Sequence, residues 1–121
     1  MRQDYVIEVA NEILKLLRIG AYKTMSWGMD RLVAIEYEDK PAPKFNVNGF
    51  VHKGNVVIAL DDGKDLYEIH LLKDSGEVKK SVREIYYDHL VDMADVLIET
   101  GDDTPDTYKK RVEEWLAATP L

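Results

Sequence analysis

Residues 44–73, KFNVNGFVHKGNVVIALDDGKDLYEIHLLK, constrain this chain more than any other stretch. Three short runs rich in β-branched and aromatic residues are separated by Lys53-Gly54 and Asp62-Gly63. Glycine in a two-residue connection supplies the positive φ that hairpin turns need, so the stretch predicts three consecutive antiparallel strands. With two-residue loops, Val51 faces Val56, Gly49 faces Ile58 and Val47 faces Leu60. Across the second turn Val56 faces Ile69, Ile58 faces Tyr67 and Leu60 faces Asp65. One face then gathers Val47, Val51, Val56, Ile58, Leu60, Tyr67, Ile69 and Leu71, and a one-residue slip would invert it. Gly49 falls inside that face, which predicts a close approach there by the Tyr67 ring or a crossing helix.

The flanking sequence supplies helices and more strands. Val6, Val9, Ala10, Ile13, Leu14 and Leu17 recur at helical spacing over 4–18, with Asp4 at the start and Gly20 at the end. Two runs, 21–27 and 31–38, predict a first hairpin. Lys40-Pro41-Ala42-Pro43 reads as a stiff loop that interrupts the ladder. After a turn at 73–77, Ser81 and Glu84 have capping-box spacing. They predict a helix over 83–99 with Tyr86, Leu90, Met93, Ala94, Leu97 and Ile98 inward. Gly101 closes it, and Thr104-Pro105 opens a last helix over about 104–118. The order gives an α+β fold: an antiparallel meander of four to five strands with helices on one face, in two layers. Residues 1–121 form a single domain, the last helix either packing on it or standing as an appendage.

Composition sets the exclusions. The chain has 121 residues, no cysteine and a net charge of −7. The absence of cysteine removes disulfides, thiolate metal sites and a cysteine nucleophile, and suits the cytoplasm. No apolar run reaches the ~20 residues that span a bilayer, and acids in MRQDYVIEV argue against a secretion signal. The acidic balance opposes duplex nucleic acid binding. Lys73, Lys79, Lys80 and Arg83 are the one basic cluster, and they form the basis of a nucleic-acid alternative.

The helix ending in glycine, the methionine-containing run at 21–27, Asp65-Leu66-Tyr67, and a segment bearing Tyr86, Asp88, Leu90 and Glu99-Thr100-Gly101 resemble small proteins carried by bacteriophages and other bacterial mobile elements. The resemblance spans about residues 10–101. It implies a provenance and no assigned chemistry, so no catalytic residue follows from it.

Candidate sites are few. The assumed registers put His52 opposite Asn55 and Asn55 opposite His70, on the outer sheet face with Glu68 nearby. Solvated polar residues are the simpler reading, and a metal or small-molecule enzyme site at His52, His70 and Glu68 is the alternative. Asp61, Asp62 and Asp65 around Gly63 lack the ligand pattern of a calcium loop. Asp88, Asp92, Asp95 and Glu99 make a solvated acidic stripe. No glycine-rich phosphate loop occurs, and Ser26, Ser75 and Ser81 lack a nucleophile-elbow context. No cofactor is expected. The outer face carries Phe50, Val57, Ala59, Leu66 and Leu72, an apolar patch with a polar rim. The expectation is therefore a small interaction or accessory protein. It binds a protein partner or itself through Phe50, Val57 and Leu66, rimmed by Glu68, His52 and His70.

Overall fold

A computed structural model describes residues 1–19 and 25–100. The expected cap at Gly20, the start of the 21–27 run, and the last helix with Gly101, Thr104 and Pro105 lie outside the described residues. Helix α1 spans Gln3–Ile19, followed by a 3-10 turn at Met25–Trp27. Five strands follow: β1 Asp30–Tyr37, β2 Lys40–Asn48, β3 Lys53–Asp61, β4 Leu66–Leu72 and β5 Val78–Ile85. A 3-10 turn at Tyr87–His89 then leads into helix α2, Leu90–Asp95, which widens into a π turn at Val96–Thr100. The strands form one antiparallel sheet in the order β1-β2-β3-β4-β5. This is the expected α+β meander with helices layered on the sheet.

Both inner registers differ from those expected, yet the faces survive. Val47 pairs with Gly54 instead of Leu60, and Ile58 pairs with Ile69 instead of Tyr67. These offsets are six and two residues, both even, and side chains alternate with period two. The core therefore still collects Val47, Val56, Ile58, Ile69 and Leu71, with Leu60 and Tyr67 at its margin. Phe45 joins it from β2 and Trp27 from the 3-10 turn, with Ile13, Leu17, Leu90, Met93 and Ile98 from the helices. Val51 leaves it, because the β2–β3 turn is residues 49–52 rather than Lys53-Gly54. Tertiary contact decides this turn: Val51 and His52 donate backbone hydrogen bonds to the Ile98 carbonyl at 2.9 and 3.0 Å. That carbonyl lies at a helix end, where acceptors lack helical partners. Gly49 does meet a crossing helix. A Cβ there would overlap the Ile98 side chain and lie 2.6 Å from its carbonyl oxygen.

Three expected elements are corrected. Met25–Trp27 is a 3-10 turn, not part of a strand, and it delivers Trp27 to the core with its indole N–H donating to Asp95 at 2.9 Å. Asp95 is thus an anchor rather than one member of a solvated stripe. Pro41 and Pro43 lie inside β2, paired with Glu36 and Ala34. Prolines two residues apart both lack donors on the same side of a strand, and the β3 ladder begins only at Lys44. Residues 78–85 form a strand, not a helix start, and Tyr86 is 62% exposed. The capping-box spacing of Ser81 and Glu84 falls across a bulge in this strand. Ile69 pairs with Val82 but Tyr67 with Ile85, so two residues face Glu68, and the buried positions fall at a helix-like spacing of three.

The second sheet face is buried too, although no described helix packs on it. Ala42, Val57, Ala59 and Leu72 form a small cluster there, flanked by Ile35 and Tyr37. The sheet curls over this face. In a flat sheet β1 and β5 would lie roughly 19 Å apart, four spacings of ~4.8 Å. Yet Arg83 on β5 reaches Glu38, in the turn after β1, at 3.0 Å, and the Tyr37 and His70 rings are 4.6 Å apart. Bulges near Asp30/Val33, Tyr67/Ile69 and Leu71/Leu72 supply the bending.

Candidate functional site: a buried polar network inside the curl

Three chain segments converge on the concave face. Alternation along β4 places Glu68 and His70 there, 4% and 0% exposed. Ser81 on β5 pairs directly across from His70. The adjacent bulge, where Glu84 takes a φ of 60°, turns Arg83 toward Glu68. The β1–β2 hairpin contributes Tyr37, Glu38 and Lys40. Its two loop residues, Glu38 and Asp39, have φ values of 50° and 62°, as the tight primed turn requires.

The distances define a connected chain. Arg83 donates to Glu68 Oε1 at 2.8 Å and to Glu38 Oε2 at 3.0 Å. Lys40 Nζ lies 3.4 Å from Glu68 Oε2. His70 Nε2 stands 3.1 Å from Glu68 Oε1, and His70 Nδ1 stands 2.7 Å from Ser81 Oγ. An ionised carboxylate only accepts, so Nε2 carries the imidazole proton and donates it to Glu68. Nδ1 is then a bare acceptor, and the Ser81 hydroxyl donates to it.

Protonation states fit this wiring. Burial pushes the Glu68 carboxyl up, but hydrogen bonds from His70 and Arg83 and the charges of Arg83 and Lys40 outweigh it and hold the group below its ordinary range. His70 is lowered mainly by burial, which the hydrogen bond and charge of Glu68 only partly offset. It is neutral at pH 7. Glu38 and Glu68 are balanced by Lys40 and Arg83, so the network has no net charge.

Its chemistry follows from that balance. Glu38, Glu68 and His70 have potential ligand atoms within 4.8 Å of one another, the one such group among the described residues. A metal there would have to displace Arg83 and strip the proton from Nε2, while the existing cations already neutralise both carboxylates. The arrangement instead suits proton transfer between Ser81 and His70, with Glu68 orienting the ring and staying ionised.

The residues expected at a site are distributed as follows. Glu68 and His70 come together, buried rather than solvated, because the curl covers them. His52 does not join them. It lies in the β2–β3 turn, 1% exposed, with Nε2 donating to the Asn55 carbonyl at 3.0 Å and Nδ1 without a partner. Burial lowers its pKa, the Asn55 hydrogen bond opposing. Val57 is fully buried in the concave cluster, Leu66 is half-buried at the start of β4, and Phe50 is 87% exposed on the turn rather than on the sheet. The basic cluster loses Arg83 to its two carboxylates, and Lys73 lies 3.5 Å from Glu77. Sequence reading gave Ser81 to a helix cap and Arg83 to the basic cluster, and missed Glu38, Lys40 and Tyr37. The alternation of Lys79, Ser81 and Arg83 with Val78 and Val82 was the signal for Ser81, masked by the bulge that follows.

No protein-family model, curated protein or solved structure matches the chain. No helix among the described residues is long and apolar enough to cross a membrane.

Proposed function

We propose that this chain is a small interaction protein that takes up a strand of a protein partner, a second copy included, along the free edge of β1. The observation that carries this reading is the state of that edge. Among the described residues β1 pairs only with β2, and its outer half presents Leu32 and Val33 at 49% and 52% exposure, followed by exposed Ala34. Edge strands are ordinarily blunted by charge, proline or cover, and three successive exposed apolar residues invite pairing. Phe50 and Val51 stand exposed at the same end of the sheet, where Asp30 pairs with Asn46. The surface thus moves from the outer sheet face, which is buried, to the β1 edge, with Phe50 kept as an anchor. An accessory role accords with the resemblance to mobile-element proteins.

The test compares wild type with Val33→Lys and Phe50→Asp, by light scattering and by the protein each retains from a lysate. Loss of self-association or of a retained partner in Val33→Lys, with an unchanged circular dichroism spectrum, supports the reading. Identical behaviour of all three proteins in both assays sinks it.

A further inference from the structure

The concave network has a direction that a merely structural cluster does not need. Ser81 is exposed, while the two groups behind it are almost wholly buried. Its hydroxyl points its proton at the bare Nδ1 of His70 over 2.7 Å, and the opposite ring nitrogen is held by Glu68 at 3.1 Å. Glu68 is itself fixed by Arg83 and Lys40. The Tyr37 ring packs against the imidazole and limits its rotation. A hydroxyl on an exposed residue, a base within hydrogen-bond reach and a carboxylate orienting that base are the parts of an activated serine nucleophile. The polarity is right as well: the opposite tautomer of His70, with its proton on Nδ1, would set that proton against Ser81 and activate nothing.

The geometry points to Ser81 as a nucleophile toward the acyl carbon of carboxylic esters. As the Oγ–carbon bond forms, the hydroxyl proton passes to His70 Nδ1, and Glu68 stabilises the imidazolium. The bond to the leaving alkoxide then breaks, and that oxygen takes the proton from Nδ1. Water repeats the two steps on the acyl-serine, releasing the carboxylic acid and restoring Ser81. This inference is independent of the β1 edge.

The chain contains three serines, which provide an internal control. Ser75 lies exposed in the β4–β5 turn and, unlike Ser81, makes no hydrogen bond to an imidazole among the described residues. The full chain is treated with a fluorophosphonate and, separately, with p-nitrophenyl acetate, and adducts are located by peptide mass spectrometry. General-base assistance is worth on the order of 100-fold or more, so Ser81 is expected to label at least ~100-fold faster than Ser75. Its rate should fall as acid protonates His70. That titration also feels Glu68, Ser81 and Tyr37, which face the ring, and Arg83, Glu38 and Lys40 behind them. Ser81→Ala should lose the adduct, and His70→Asn should slow it to the Ser75 rate. Folded wild type in which Ser81 reacts no faster than Ser75, or reacts independently of pH, overturns the proposal. The comparison of the two serines within the wild-type molecule does not depend on any variant folding.

Discussion

Arg83, on the last strand of the sheet, donates to Glu38, in the turn after the first strand, at 3.0 Å. Nothing in the strand order requires these residues to meet. Their contact records the curl that buries the second sheet face and seals Glu68 and His70 beneath it. The same guanidinium reaches Glu68 at 2.8 Å, so one side chain joins the edge of the sheet to its interior charge.

The two halves of that bridge should weigh differently. Glu68 is 4% exposed, and losing a hydrogen bond to a buried charge costs roughly 1.5–3 kcal/mol. The Glu38 side chain is 46% exposed, and an exposed pair contributes about 1 kcal/mol at most. Urea denaturation of Arg83→Met should show the larger loss and Glu38→Gln the smaller one. Equal losses would mean that the curl depends on the outer pair instead.

Acid should weaken the fold in two stages. His70 and His52 are both lowered in the folded state, chiefly by burial. The unfolded chain therefore takes up protons first, and stability falls as pH drops below about 6.5, the free histidine value. Glu68 is also lowered, so its contribution is present above about 4.3 and is lost as pH falls through its folded value. Both signs agree. Denaturation midpoints from pH 8 to 5 should decline for wild type and flatten for the double variant His52→Gln, His70→Gln.

Glycine replacement separates a packed turn from an open one. Gly49→Ala places a methyl against the Ile98 side chain and carbonyl, and overpacking of this kind costs about 1–3 kcal/mol. At Gly63 the nearest atom to an added Cβ is an Asp61 carboxylate oxygen 3.7 Å away. Gly63→Ala should leave the thermal midpoint unchanged or slightly raised. A neutral Gly49→Ala would show that the turn is not held against the helix end.

Asp39 offers a stabilising change. It is exposed, holds a φ of 62° and sits in a two-residue hairpin loop closed by Tyr37 and Lys40. Asp39→Gly should gain about 0.5–1 kcal/mol by relieving left-handed strain. A rise in urea midpoint with an unchanged slope is the expected signature.

The β3–β4 alternation and the α1 stripe were legible in the sequence because side-chain periodicity alone specifies which residues share a face. That is why Val56, Ile58 and Ile69 reached the core although both registers were displaced by even steps. Turn positions were less legible. Lys53-Gly54 has the composition of a hairpin loop, but the Ile98 carbonyl draws the turn to residues 49–52. The β5 strand was hidden by the capping-box spacing of Ser81 and Glu84, and its bulge sets the buried Val82 and Ile85 three apart, which removes the strand alternation. Pairing of the buried polar residues was not legible at all. Glu68 and His70 were visible as neighbours two residues apart. Their partners Ser81, Arg83, Glu38 and Lys40 come from other strands, and only the curl of the sheet brings them within hydrogen-bond reach. Local pattern thus determined the layers and faces of this protein. Tertiary structure decided the register, the burial of the second face and the wiring of its charges, because strand curvature is set by bulges and long-range contacts rather than by side-chain alternation.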